Sequence, residues 1–304
     1  MNAEHGPGVH SVFTISDELL GLTDACALVT GGAMGIGRGC ALRLAQAGCH
    51  VAIADLNLDR AAATAREIEA IGRRAVVVEA DVRDEESVGA MVRQAMEGLG
   101  SLDVACNVVG NLSHSPKPLL DLTLDEWNTT VHRNMGTTFL GTKVEALAMI
   151  ERGINGRIIN VASSSGVVGG PNVSDYGAAN AGVIHFTKSA AMELARFGLR
   201  VNCIIPGTHD TESSRARAAE SGRDPNMQRF RELAAKAPPL GRLGDPLDTG
   251  GLAVFLASNL SSYVTGHGVF SDGGVVHTTA RPPVGLDMMP VALAHVEGLA
   301  ERLR

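Results

Sequence analysis

Seven short apolar runs punctuate the chain, at Ala25–Thr30, His50–Asp55, Ala75–Asp81, Asp103–Asn107, Arg157–Ala162, Arg200–Ile205 and Gly268–Ser271, and between them apolar residues recur at helical spacing. The runs are continuous rather than alternating, as in Val76–Val78 and in RIINVA at Arg157–Ala162. A strand that is wetted on one face alternates apolar with polar; one that is buried on both faces does not. Continuous strands separated by helices are joined by right-handed crossovers, which place helices on both faces of a parallel sheet. The pattern therefore predicts an α/β protein with a single doubly wound parallel seven-stranded sheet over residues 23–274. Residues 1–22 read as an N-terminal arm and 275–304 as a C-terminal extension. In that extension Met289, Leu293, Val296 and Leu303 return at helical spacing, which predicts a short amphipathic helix packed on its own or a neighbouring subunit.

Composition narrows the class of function. A chain of 304 residues with 45% hydrophobic content can bury one sizeable core. A formal net charge of −7, with no block of Lys and Arg, argues against a nucleic-acid partner. No apolar run reaches the ~18 residues needed to span a bilayer, and no basic segment followed by an apolar one opens the chain, so neither a membrane partner nor export is expected. The five cysteines, Cys26, Cys40, Cys49, Cys106 and Cys203, are widely spaced in apolar surroundings without a CxxC or Cys/His cluster. They read as reduced core residues of a cytoplasmic protein, and no metal site is expected. His132 and His185 likewise read as packing or surface residues, since neither has a ligand partner at useful spacing.

The chemistry begins where the first run ends. Thr30-Gly-Gly-Ala-Met-Gly-Ile-Gly37 joins it to a helix expected over Gly39–Ala47. Glycines there let the backbone turn tightly and approach a pyrophosphate, which sits at the positive end of the helix dipole. Asp55 ends the second run about 24 residues after Gly31. A carboxylate at that tip can accept bonds from both hydroxyls of an adenosine ribose and repels a 2′-phosphate, and Leu56 follows where an arginine would have welcomed one. NAD is thus favoured over NADP; the bland alternative is a solvated strand-end carboxylate. Asp81 and Val82 close the third run, where the Asp81 carboxylate could meet the adenine amino group. Asn107 through Gly110 close the fourth, forming the opposite wall of the cleft.

Taken together, TGGAMGIG (Thr30–Gly37, including Gly31, Gly35 and Ile36), Asp81-Val82, Asn107-Val-Val-Gly110, Asn134, Ser163, Tyr176, Pro206-Gly207, Thr211 and VTGHGVFSDGG (Val264–Gly274) resemble a short-chain dehydrogenase/reductase over about residues 22–274. The resemblance implies a Rossmann fold and an NAD(H)-dependent oxidoreductase that interconverts a secondary alcohol and a ketone. It implies that Tyr176 exchanges the proton of the substrate oxygen while Ser163 holds that oxygen, and that Asn134 bends its helix around a relay water. Thr211 fits the position that meets the nicotinamide carboxamide. It also implies a mobile substrate lid at about 208–240, the most charged stretch of the chain, whose charges read as a solvated helical face in preference to a clamp for an anionic substrate. Assembly as a homo-tetramer or homo-dimer through the two long helices near 124–150 and 174–197 is implied as well.

Two positions depart from the family pattern. NVVG replaces the usual NNAG, and Asn180 stands where the family carries its active-site lysine. A phenol with a reference pKa near ~10 is a poor base at neutral pH, and the family's lysine supplies the cation that stabilises its phenolate and anchors the nicotinamide ribose. Positions 176 and 180 are i and i+4 on a helix whose expected cap is Ser174, so they share a face. Geometry is kept and charge is lost. Lys143 and Lys188 are not placed to substitute. The alternative to an active enzyme is a dinucleotide-binding protein of the same fold with lost or non-redox activity.

Overall fold

The computed structural model describes residues 17–215 and 235–277. The rest of the expected arm, the most charged part of the expected lid, and the expected C-terminal helix lie outside the described residues. Seven strands, β1 (Cys26–Thr30), β2 (His50–Asp55), β3 (Ala75–Glu79), β4 (Val104–Asn107), β5 (Arg157–Val161), β6 (Arg200–Pro206) and β7 (Gly268–Ser271), form one sheet in the order β3-β2-β1-β4-β5-β6-β7. Every pairing is parallel. The order reverses between β1 and β4, and it is outside the C-terminal ends of strands at such a reversal that open α/β sheets form a ligand crevice.

The main helices are α1 (Gly35–Gln46), α2 (Leu58–Ala70), α3 (Glu85–Leu99), α4 (Leu124–Val131), α5 (Thr137–Glu151), α6 (Ser174–Leu194) and α7 (Pro246–Ala257). They divide between the two faces. Leu44 of α1, Ile68 of α2 and Leu256 of α7 pack with Ala27 and Val29 in one core. Met91 of α3, Met149 of α5 and Ala191 of α6 pack with Leu28 and Ala52 in the other. Successive strand residues point to opposite faces, so Leu28 and Val29 belong to different cores and both are apolar. All five cysteines are buried and unpaired.

Two local departures from expectation have simple causes. The helix after β1 starts at Gly35, not Gly39, because the end of the glycine turn is wound into its first turn. Ser174 is not the cap of α6 but its first helical residue; the cap position is Val173, with no side-chain bond. By contrast α4 begins on a reciprocal capping box, with Thr123 Oγ1 accepting from the Glu126 N–H and the Glu126 carboxylate accepting from the Thr123 N–H. Between α4 and α5 the helix widens to a π turn over His132–Gly136.

Helices α1 and α7 cross at two glycines. A Cβ on Gly39 would overlap the Pro246 carbonyl, and one on Gly250 would overlap the carbonyl of Gly39. Arg43 Nε donates across the same seam to the Leu247 carbonyl at 3.4 Å, joining positions 204 residues apart.

Candidate active site

On the nucleotide side the geometry is mainly that of the backbone. Thr30 Oγ1, at the end of β1, accepts the Val108 N–H at 3.1 Å and so ties β1 to the turn after β4 across the reversal. A Cβ on Gly37 would overlap the Gly31 carbonyl, so only glycine permits the turn to close this tightly on the helix. Ile36 packs partly buried against the first core. At the tip of β2, Asp55 Oδ2 accepts the Ala33 N–H at 3.1 Å and Oδ1 accepts the Asn57 N–H at 2.9 Å. The carboxylate thus braces the glycine turn from below, and each oxygen keeps a lone pair for a further donor.

An anion already sits at the start of α1. The Gly35 N–H donates to Glu212 Oε2 at 3.0 Å, from a residue 177 positions away. Burial raises the Glu212 pKa, but its own backbone amide, that of Gly35, and the charges of Arg38 and Arg215 outweigh burial and hold the carboxyl below its ordinary range. This carboxylate stands in for a phosphate oxygen. It shows that the Gly35 amide at the helix start donates to an anion, as a dinucleotide pyrophosphate would need. The donor set therefore fits that cofactor. Thr211 covers the same glycine, its methyl lying 3.4 Å from where a Cβ on Gly35 would stand.

Asp81 is less open than its sequence position suggests. Arg83 Nε and Nη2 donate to its two oxygens at 2.8 and 2.6 Å, and this fork holds the carboxyl at about 2. Val82 beside it is buried. Asn107 is also committed: its Nδ2 donates to Glu145 Oε2 at 2.9 Å and to Asn160 Oδ1 at 3.2 Å. Thr142 Oγ1 donates to the same Asn160 oxygen at 3.1 Å, and Asn160 Nδ2 donates to Thr187 Oγ1 at 3.1 Å. This buried polar network locks β4, β5, α5 and α6 together under the cleft. Glu145 is fully buried, its Oε1 has no hydrogen-bond partner, and burial pushes its pKa up to about 7.

On the catalytic side, Asn134 lies inside the π turn. Its Nδ2 donates to the Thr130 carbonyl at 2.8 Å and to the Asn111 carbonyl at 3.0 Å, fixing the loop after β4 to the bend. Gly110 packs against its side chain, with Asn134 Oδ1 only 2.5 Å from where a Cβ would stand. Ser163 follows β5, and its Oγ accepts the Ser165 N–H at 3.2 Å, capping the short 3-10 turn Ser164–Gly166. That turn lies directly on α6: a Cβ on Gly166 would press on the Asn180–Ala181 backbone, and one on Gly177 would stand 2.9 Å from the Ser165 carbonyl. The turn that follows Ser163 is thus packed against the stretch of α6 that carries the half-buried Tyr176. Pro206 and Gly207 close the sheet beside them, the Gly207 N–H donating to the Ser271 carbonyl at 3.0 Å.

Asn180 is buried, and its Nδ2 donates at 2.9 Å to the backbone carbonyl of Tyr176 one turn earlier. One of its two N–H donors is thus used within the helix. Lys143, exposed on α5, pairs with Glu85 at 2.6 Å. Four groups that sequence pattern did not single out also shape the site: Glu212 on the glycine turn, Arg83 on Asp81, Glu145 beneath Asn107, and a His114–Asp175 pair beside Tyr176. Among the described residues no group of three His, Cys, Asp or Glu converges to hold a metal, and no helix is long and apolar enough to cross a membrane.

Residues 31–276 match a family model described as enoyl-(acyl carrier protein) reductase. Over 248 residues the chain is 36% identical to a 2,5-dichloro-2,5-cyclohexadiene-1,4-diol dehydrogenase of Sphingobium indicum, which spans 81% of this chain and 95% of the relative. It is 37% identical over 250 residues to an L-rhamnose 1-dehydrogenase (NAD(P)(+)) of a Sphingomonas species, spanning 82% of this chain and 94% of that one. A solved short-chain type dehydrogenase/reductase from Mycobacterium marinum superposes with a TM-score of 0.75 at 34% identity, covering 84% of this chain and 97% of its own. Levodione reductase superposes with a TM-score of 0.79 at 30% identity, covering 84% and 99%.

Proposed function

Because the chain belongs to the short-chain dehydrogenase/reductase family, a family of oxidoreductases, we propose that it is an NAD(H)-dependent dehydrogenase interconverting a secondary alcohol and a ketone. The observation that carries this reading is the packing of the Ser163 turn on the Tyr176–Asn180 stretch of α6. A hydroxyl and a phenol gathered there can address one substrate oxygen, Ser163 holding it and Tyr176 giving or taking its proton. Bound nicotinamide dinucleotide supplies or accepts the hydride. Gly35, Ile36 and Gly37 would hold its pyrophosphate, Asp55 its adenosine ribose, Val82 its adenine, and Thr211 its carboxamide. The Asp55 carboxylate favours NAD over the 2′-phosphorylated form. The protein works in the cytoplasm, where its five thiols stay reduced. It assembles as a dimer or tetramer across α5 and α6, whose outward faces expose Phe139, Leu147 and Met192.

One observation favours a second reading, dinucleotide binding without turnover: Asn180 brings no cation to Tyr176 and spends its amide on the helix backbone. The two readings separate in one experiment. NADH is titrated by fluorescence, and NAD+ reduction is followed at 340 nm with cyclohexanol, 2-butanol and 2,3-butanediol, for the natural chain and for Asn180→Lys. A charge at several Å through an effective dielectric near ~20 is worth a few kcal/mol, so the lysine variant should gain about 10- to 1,000-fold in turnover. If both proteins bind NADH and neither reduces NAD+ with any alcohol, the redox reading fails. If neither binds NADH, the cofactor assignment fails with it.

A further inference from the structure

We infer that His114 and Asp175 form a positioning pair for the reaction, in which the imidazolium of His114 clamps the loop after β4 to the helix turn that carries Tyr176. The inference rests on the dehydrogenase reading above. His114 Nε2 lies 2.8 Å from Asp175 Oδ2, and His114 Nδ1 lies 2.7 Å from the Ser115 carbonyl oxygen. Both neighbours are pure acceptors. A neutral imidazole has one N–H and one lone pair, so in either tautomer one of these short contacts would set a lone pair against an acceptor. Only the cation satisfies both. The side chains are 8% and 1% exposed, so water cannot readily replace a lost partner.

The pair is one of several fastenings of this loop, and it differs from the others in kind. Toward α4, Ser113 Oγ donates to the Glu126 carbonyl at 3.2 Å and the Ser113 N–H donates to Thr130 Oγ1 at 3.3 Å. Lys117 Nζ pairs with Glu126 Oε1 at 2.6 Å. Toward α6, the Lys117 N–H donates to the Asn172 carbonyl at 3.2 Å, just before the helix. His114–Asp175 is the fastening that reaches into the first turn of α6, at the residue before Tyr176. The charged groups around it are Asp175 from α6, Glu126 from α4 and Lys117 from its own loop, the last two paired with each other.

The loop's own start, Asn111, is tied to Asn134, and its far side meets the turn of Tyr176. It therefore forms a wall between two residues that the reaction requires. The Ser115 carbonyl, against burial and with help from Asp175, raises the His114 pKa above its ordinary value. Burial opposes the Asp175 carboxylate, yet its hydrogen bonds, that from His114 among them, keep its pKa below the usual range. The clamp is thus complete below the pKa of folded His114 and released as pH rises through it. Release loosens the wall without changing Tyr176 itself. KM for the alcohol should rise through that transition, whereas kcat follows the protonation of Tyr176.

The test combines a histidine 15N NMR titration of the full chain with NADH and steady-state kinetics on 2,3-butanediol between about pH 6 and 9. His114 should titrate above its ordinary value, and Asp175→Asn should lower its pKa. KM should rise about 3- to 10-fold across the natural transition, and the rise should move to lower pH in Asp175→Asn. His114→Gln, which keeps a donor and cannot titrate, should hold a low KM that is flat with pH; His114→Ala should hold a high one. Near-UV circular dichroism separates these effects from misfolding. The inference is overturned if His114 titrates at or below ~6.5, or if KM is flat through its transition. Should no variant turn over the alcohol while all bind NADH, the redox reading has failed, and the clamp is decided by amide exchange of residues 111–117. Protection must then fall across the His114 transition in the natural chain and not in His114→Gln; unchanged protection overturns the clamp as well.

Discussion

The glycine turn after β1 and the Ser163 stretch after β5 both follow the C-terminal ends of parallel strands, but they are made of different material. The first presents backbone: amides at the start of α1, a turn that only glycine can close at position 37, and a carboxylate braced beneath it. The second presents side chains, Ser163 and Tyr176, whose proposed roles depend on a charge that Asn180 does not bring. On the proposed reading, binding would reside in geometry that few substitutions can erase, whereas proton transfer would reside with one phenol. A single residue can therefore separate holding a dinucleotide from using it, without the fold registering the change.

This contrast can be broken most forcefully on the backbone side. Gly37→Ala places a methyl against the Gly31 carbonyl and should weaken NADH binding at least about 100-fold, with several kcal/mol lost in stability. Ile36→Val should leave the affinity within about twofold, since it alters volume without blocking the turn. Fluorescence titration measures both. An alanine variant that binds NADH normally would show that the turn is not the cradle.

The next effect is in stability. Between its ordinary value of 4.5 and its folded value of about 7, the Glu145 carboxyl keeps its proton in the folded state while the unfolded chain loses it. Stability therefore falls as pH rises through that window, by about 3 kcal/mol in all. Glu145→Gln stays neutral and should raise the Tm by several degrees at pH 8 relative to the natural chain, with a much smaller gain at pH 4.5. Equal shifts at both pH values, in thermal melts followed by circular dichroism, would mean that Glu145 is not the titrating group.

The smallest expected effect sharpens the comparison from within the nucleotide side. Glu212 holds the Gly35 amide that a pyrophosphate oxygen would take, so Glu212→Gln should tighten NADH binding about 3- to 10-fold at low salt. Added salt should narrow the gap between the two proteins. A weaker complex in the variant would mean that the carboxylate supports the cradle rather than competing for it.

Most of the scaffold could be read from the chain because it rests on local pattern. Continuous apolar runs marked all seven strands, and the glycine spacing marked the start of α1 to within one turn. What escaped was non-local. Glu212 meets Gly35 across 177 positions, and His114 meets Asp175 across 61. Neither pairing leaves a periodic trace. Glu145 sits on a helix whose neighbours give no sign that one carboxyl faces a buried asparagine. Asn107 ends β4 as expected, whereas β3 stops at Glu79, two residues before Asp81, and both side chains are held, by the internal network and by Arg83. At Ser174 a residue type that favours caps stands one position too late, because the chain enters α6 through Val173. The sequence identified Asn180 as a missing charge; that its amide turns back on the helix needed coordinates.

The glycine crossing of α1 and α7 has a consequence for how the molecule is made. The helix proposed to receive the cofactor, α1, is seated on α7 at residues 246–257. On the ribosome, β1, α1 and β2 emerge first, and the partner that buries one side of α1 begins 200 residues after α1 ends. Domains fold as units when contacts so distant in sequence must close. A nascent chain released before residue 246 would thus carry the complete glycine motif and still be unable to hold a nucleotide. Premature termination would yield protein for clearance rather than a working half.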